Sequence, residues 1–333
     1  MMATNSTSPA EATTSSNAAP KLRFADVGIN LSDPVFQGIY HEKQVHENDL
    51  DDIIQRALGV GCTKMMVTGS DLTSSANAIA LARKYPGTCY ATVGIHPCSA
   101  TSLDEHERGR QGAIAELATL AKQAREDGLA VAFGEFGLDY DRLWHADKPT
   151  QLACFEVQLE LAVDLQLPLF LHSRAAAADF ERLLRPYLTK LPKRGLVHSF
   201  TGTLEEMRQL VDLGFDIGVN GCSLKTEANL DVVRQIPLDR LQLETDGPWC
   251  GITSSHASAK HAGANDMLTS LLPRAVKKGR WIKGCMVKGR NEPCTIPLVA
   301  HVVASVKGIG VEEVCEAAWR NSTGMFGLGC VFE

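Results

Sequence analysis

A (β/α)₈ barrel is the fold this sequence predicts, and three observations predict it. Eight short apolar runs alternate with amphipathic stretches from Leu22 onward. No Gly-x-Gly-x-x-Gly follows any of these runs, which weakens the dinucleotide-binding, doubly wound alternative. Acids and histidines stand at the C-terminal ends of one run after another. Strand–helix repetition implies parallel strands with crossover helices, and eight repeats in about 250 residues suit a closed barrel.

The elements follow in order. Residues 1–20 are rich in Ser, Thr, Ala and Asn, with one acid and no base, and are expected to form a disordered tail. They lack the apolar segment of a secretory signal and the arginines of a transit peptide. Residues 21–333 are expected to form one domain. The expected strands are 24–30, 64–69, 90–94, 131–135, 168–172, 195–198, 215–219 and 241–244. Each is rich in Val, Ile, Leu or Phe and bounded by Gly, Pro or charge, as strands buried on both faces are. Between them, Leu152, Phe155, Leu159 and Val163 make one helical stripe. Thr203 and Glu206 can form a capping box opening a helix with Leu204, Met207 and Leu210 on one face. Residues 295–326 read as the closing helices.

Bulk properties narrow the function classes. Hydrophobic residues make up 44% of 333 residues, enough for a sizeable core. No apolar stretch approaches the ~20 residues of a membrane-spanning helix, and no membrane partner or obligate protein partner is expected. The net charge of −6 excludes bulk electrostatic attraction to nucleic acid, so a polyanionic substrate needs a local patch or a metal. The ten cysteines contain no Cys-x-x-Cys pair and read as reduced core thiols of an intracellular protein, cytoplasmic or nuclear.

The polar residues carry the chemistry. Asp26 and Asn30 belong to the first run, His96 follows the third, Glu135 ends the fourth, His172 the fifth and His198 the sixth, and Asp246 follows the eighth. A barrel delivers all C-terminal strand ends to one face. Any one of these residues is most simply a cap, a salt-bridge partner or a satisfied rim histidine. Four at equivalent places point to a shared cation, because clustered carboxylates otherwise repel and resist ionisation. Glu135, His172, His198 and Asp246 form a mixed N/O set suited to Mg²⁺ or Mn²⁺, with Zn²⁺ also accommodated. Such a set implies hydrolysis and leaves phosphate ester and amide both open.

The segments GEFGLDY (134–140), LFLHSR (169–174), VHSFTG (197–202) and LETDGPW (243–249) resemble the signature segments of TatD-type deoxyribonucleases. DVGINLSDPVFQGIYH (26–41), NGCSLKTEANL (220–230) and KGRNEPCTIP (288–297) resemble the eukaryotic branch. The similarity runs from about Arg23 to Phe326. It implies a TIM barrel that hydrolyses DNA phosphodiester bonds with a divalent metal, often as a 3′–5′ exonuclease. It also implies Glu135 as a bridging carboxylate, His172 and His198 as ligands, and Asp246 as a ligand that orients or deprotonates water. Many members carry His-x-His at the end of strand one, where this chain has Gly28-Ile29-Asn30. One tight metal site is therefore expected, with a second, weak one for which Asn30 is the candidate donor.

Further candidates contact substrate. His96 can bond a phosphate or merely close a turn. Arg174 offers a fork for phosphate or for Asp139. Asp26, low in strand one, is expected to support the fold. From Arg274 to Arg290 there are seven bases and no acid. Lys277, Lys278 and Arg280 beside Trp281 suit phosphate contacts and base stacking, or simply a solvated face. The alternatives are a deacylase or amidohydrolase acting on mischarged D-aminoacyl-tRNA, and a barrel that has become a non-catalytic scaffold.

Overall fold

The computed structural model describes residues 22–262 and 272–329; the expected tail at 1–20 lies outside them. Eight parallel strands are hydrogen-bonded in chain order: β1 (Phe24–Ile29), β2 (Cys62–Val67), β3 (Cys89–Val93), β4 (Ala130–Asp139), β5 (Leu169–Arg174), β6 (Gly195–Val197), β7 (Asp216–Val219) and β8 (Leu241–Leu243). The sheet closes just past β8, where Asp246 N donates to Gly28 O at 2.8 Å and Asn30 N to Gly247 O at 2.9 Å. All eight expected strands are present. β4 runs on to Asp139, because its far end pairs with β5 as far as Asp139 opposite Arg174.

Between the strands lie α1 (Leu50–Gly59), α2 (Leu72–Lys84), α3 (Gly109–Glu126), α4 (Lys148–Leu165), α5 (Ala177–Leu184), α6 (Leu204–Asp212) and α7 (Glu227–Gln235). The closing pair is α8 (Ile296–Lys307) and α9 (Val311–Phe326). The capping box at Thr203 is formed with Glu206. No single helix among the described residues is long and apolar enough to cross a membrane.

Both strand faces are apolar because both are covered. Ala25, Val27, Met66, Val131, Phe170 and Leu196 fill the barrel interior, joined by Phe326 and Leu328 from the end of the chain. Ile29, Met65, Val67, Phe133, Leu169 and Val197 pack outward against the helices. Helix α4 does more than cover the sheet. Its stripe includes the fully buried Phe155 and Leu159, and its buried Gln158 and Gln151 stand two turns apart on the barrel side. Gln158 accepts from Ile95 N at 2.8 Å and donates to Ile95 O at 2.9 Å. Gln151 treats Asp139 identically, at 2.8 and 2.9 Å. These amides replace backbone partners at two loops that carry site residues. Gln158→Leu leaves a buried N–H and C=O unpaired, each costing about 1–3 kcal/mol. The expected result is a loss of at least about 2 kcal/mol in urea unfolding at unchanged m-value, with an unchanged midpoint removing this role.

A buried charge network anchors the segment after β8. Arg290 bonds Asp49 and Glu292 at 2.9 Å each, and Arg56 bonds Glu292 at 2.9 Å and Asp49 at 3.3 Å. Arg290, the last base of the basic run, is therefore structural.

Candidate metal centre and catalytic cleft

The C-terminal strand ends open into a cleft of about 1060 Å³ lined by Asn30, His96, Glu135, His172, His198 and Asp246 among others. At its floor three imidazoles converge on one oxygen. Glu135 Oε1 lies 2.7 Å from His198 Nε2, 2.9 Å from His172 Nδ1 and 3.3 Å from His96 Nε2. Donor atoms of His96, Glu135 and His172 all fall within 4.8 Å of one another.

Local sequence explains the convergence. Gly134 has φ +144°, and a Cβ there would stand 1.9 Å from Phe170 O. Only glycine lets β4 lie this close to β5, which sets Glu135 beside His172. Glu135 N is tied to Gly69 O at 2.8 Å. The ring of Phe170 lies 4.8 Å from that of His198 and seats it from the barrel interior.

Two acids outside the expected set complete the arrangement. His172 Nε2 faces Asp139 Oδ2 at 3.1 Å, and His198 Nδ1 faces Glu244 Oε2 at 3.3 Å. Each ring thus bonds Glu135 with one nitrogen and an outer carboxylate with the other. Outer carboxylates of this kind orient metal-binding imidazoles and raise their basicity. Glu244 is further fixed by Ser199 N and by Asn220 Nδ2 at 3.2 Å. The signal for Glu244 was present in LETDGPW: it directly follows β8, two residues before Asp246.

Electrostatics follow from burial and pairing. Burial alone would push the Glu135 carboxyl up, but the charges of His198 and His96 and the bonds from His172 and His198 hold it well below the usual range. Burial would push His198 down, and Glu135 and Glu244 instead raise it well above its ordinary value. His96 is displaced upward in the same way, burial being outweighed chiefly by Glu135. Asp139 is held low despite burial, first by its bond to His172. Asp246 behaves oppositely: burial pushes it up to about 7, with the Glu244 and Glu135 charges adding to the rise.

Each expected residue has its place. Glu135, His172 and His198 come together as expected. His96 joins them, and its Nδ1 also accepts from Cys98 N at 3.0 Å, so it is both turn-closing and part of the cluster. Asp246 lines the cleft outside that knot. Asn30 donates to Asp246 Oδ1 at 3.0 Å and to Gly247 O at 3.1 Å; its amide nitrogen is spent on positioning Asp246. The strand-one space is also filled: a Cβ on Gly28 would lie 2.5 Å from Glu244 Oε2, so an imidazole at position 28 has no room beside that acid. Asp26 supports the fold, accepting from Thr245 N at 2.9 Å, which holds the backbone beside Asp246. Arg174 lines the cleft without an ion pair to Asp139 among the described residues, and its buried Nε has no partner there.

Two expectations are corrected. Trp281 is not a free stacking ring: it stacks on His46 at 5.1 Å and donates its indole N–H to Cys285 O at 3.1 Å. Lys277, Lys278 and Arg280 are exposed on the segment after β8, but Arg280 lines neither the cleft nor the groove beside it. The cysteines are not all reduced thiols. Cys222 and Cys250, 28 residues apart, are joined with Cα atoms 5.0 Å apart, while the other described cysteines are free. The barrel brings two strand-end loops together here, a proximity that no sequence spacing reveals.

Comparisons with known proteins bear on the family and the barrel architecture. The family model described as TatD related DNase matches residues 26–327. The chain is 51% identical over 302 residues to the deoxyribonuclease Tat-D of Schizosaccharomyces pombe, covering 90% of this chain and 95% of that protein. It is 32% identical to the 3′-5′ ssDNA/RNA exonuclease TatD of Erwinia amylovora, covering 91% and 99%. Among solved structures, a TatD family hydrolase from Entamoeba histolytica superposes with a TM-score of 0.82 at 35% identity, covering 92% and 98%. This chain belongs to the TatD related DNase family.

Proposed function

We propose that the cleft hydrolyses DNA phosphodiester bonds with a divalent ion, removing nucleotides from the 3′ end. The observation that carries this reading is the convergence of three imidazole nitrogens on one buried Glu135 oxygen at the C-terminal mouth of the barrel. The donor chemistry fits a metal: nitrogen and carboxylate donors lie close together, outer carboxylates orient two of the rings, and burial pushes Asp246 up to about 7, a rise that a neighbouring cation would oppose. The deoxyribonuclease and exonuclease names of the relatives support the same substrate. An intracellular setting, cytoplasmic or nuclear, goes with it, and the reading needs no protein partner. The presence of the whole donor knot weighs against a non-catalytic scaffold.

Glu135, His172, His198 and Asp246 would hold the ion, with His96, whose donor atom lies within 4.8 Å of those of Glu135 and His172, beside them. Bound there, a divalent ion would supply Lewis-acid polarisation of a phosphoryl oxygen and a lowered pKa for a nearby water. The chain's own groups do the rest. Arg174 meets a phosphate oxygen with its unpartnered guanidinium edge. Asn30 and the Asp26–Thr245 bonds hold Asp246 in place. Asp246 takes the proton from the water that attacks phosphorus, the P–O bond to the leaving ester oxygen breaks, and that oxygen takes up the proton Asp246 received. A second ion would bind weakly, because Gly28 brings no donor and Asn30 offers only an uncharged amide oxygen in place of an imidazole.

A metal-titrated assay on end-labelled single and double strands tests this reading. Chelation should abolish cleavage, and Mg²⁺ or Mn²⁺ should restore it through two concentration ranges, the higher shifting down as DNA is added. Calorimetry on substrate-free protein should then find one tight site. Two equally tight Mn²⁺ sites would remove the one-strong, one-weak assignment, and cleavage persisting in chelator would remove the metal.

A further inference from the structure

A second groove, of about 710 Å³, adjoins the catalytic cleft, and Trp249, Lys288 and Arg290 line both. Its walls also carry Tyr40, Lys277 and Lys278, and no acid. Lys277, Lys278 and Lys288 are exposed, and no carboxylate pairs with them among the described residues. Lys278 Nζ sits 4.6 Å from the centre of the Tyr40 ring, which holds that ammonium at the groove wall. Trp249 is 57% exposed, unlike Trp281. Its backbone N–H is bonded to Asp246 O at 3.0 Å, so its backbone is tied to the loop that carries the proposed proton acceptor.

An exposed indole beside three lysines that no carboxylate among the described residues pairs offers a flat apolar face flanked by positive charge, and its complement is a flat apolar face flanked by negative charge. A single nucleic-acid strand offers that combination: unpaired bases present π-faces, and phosphates meet the lysines. A duplex hides its base faces within the stack. The groove carries bases and no acid on a chain of net charge −6, and its continuity with the cleft gives it a direction.

We propose that this groove is a subsite for single-stranded nucleic acid, in which Trp249 stacks on an unpaired base next to the scissile phosphate and Lys277, Lys278 and Lys288 hold the following backbone. The proposal rests on the phosphodiesterase reading above and adds the residues that hold the strand beyond the scissile phosphate.

The test is fluorescence anisotropy with the full-length chain carrying Glu135→Gln, so that the probe is not consumed. Three probes are used: a labelled ten-residue oligothymidylate, the same backbone without bases, and a ten-base-pair duplex. The oligothymidylate should bind best. Trp249→Ala should weaken it roughly tenfold or more, Trp249→Phe should recover most of that loss, and Trp281→Phe should change it little. The baseless strand should bind weakly and ignore Trp249. Replacing the three lysines by Ala should flatten the single-strand salt dependence by about 0.7 per lost contact. Equal affinity for oligothymidylate with and without Trp249→Ala, or equal binding of the baseless strand, would overturn the subsite. Wild-type hydrolysis of bis(p-nitrophenyl) phosphate is read separately. If that is absent along with DNA cleavage, the phosphodiesterase reading fails; if it is present while Trp249 is indifferent, only the subsite fails.

Discussion

Glu135→Gln is expected to lower DNA hydrolysis by about a thousandfold or more while leaving the barrel folded. The amide keeps the side chain's volume in a buried site. It removes the negative charge on which His96, His172 and His198 converge. A ligating carboxylate contributes to several kcal/mol of charge stabilisation in a metal-assisted hydrolysis, and each 1.36 kcal/mol is a factor of ten in rate. The histidines lose their common acceptor as well, so metal affinity should fall with activity. Circular dichroism checks the fold, and initial rates on end-labelled DNA across a Mg²⁺ series check the chemistry. A folded variant cutting at near the wild-type rate in saturating Mg²⁺ would remove Glu135 from the centre.

Asp246→Asn should lower kcat by about 10²- to 10⁴-fold, the usual range for loss of a general base, with little change in KM. Asparagine can still accept the bond from Asn30 Nδ2, now 3.0 Å from Asp246 Oδ1, so the loop keeps its shape. It cannot take a proton. Loss of an interaction made only in the transition state lowers kcat and kcat/KM together. Steady-state kinetics decide the matter: normal kcat with raised KM would transfer Asp246 to substrate binding. The two variants also separate roles. Glu135→Gln should depress metal affinity strongly, and Asp246→Asn should depress it less, because Asp246 stands outside the knot of three imidazoles.

Relatives matched over nearly their whole length carry deoxyribonuclease or exonuclease names, and the structure adds reasons specific to this chain. The His-x-His absent from strand one is not a bare gap. Glu244 fills the space above Gly28, orients His198 and is held by Ser199 and Asn220. Acidic donors from the far side of the seam therefore crowd the place where strand-one imidazoles stand in other members. An imidazole introduced by Gly28→His would have to displace Glu244 before it could bind anything.

By itself, the sequence determined the barrel and the three polar residues at its centre. Eight apolar runs, each covered on both faces, have one economical closed arrangement, and strand-end position puts Glu135, His172 and His198 at one mouth whatever the loops do. Periodicity is local, so α4 and the Thr203 capping box were legible for the same reason. Only the tertiary structure decided the rest. Asp139 and Glu244 act through imidazoles contributed by other strands, and the same motifs would read identically if those acids pointed elsewhere. The pairing of Cys222 with Cys250, the withdrawal of Trp281 onto His46 and the exposure of Trp249 depend on how loops from distant strand ends meet. Arg290 shows the reason most plainly: within a run of bases it looks like a phosphate contact, yet Asp49, 241 residues earlier, draws it into the interior. Charge type is written in the chain, but its partner is set by through-space distance, which only the closed barrel supplies.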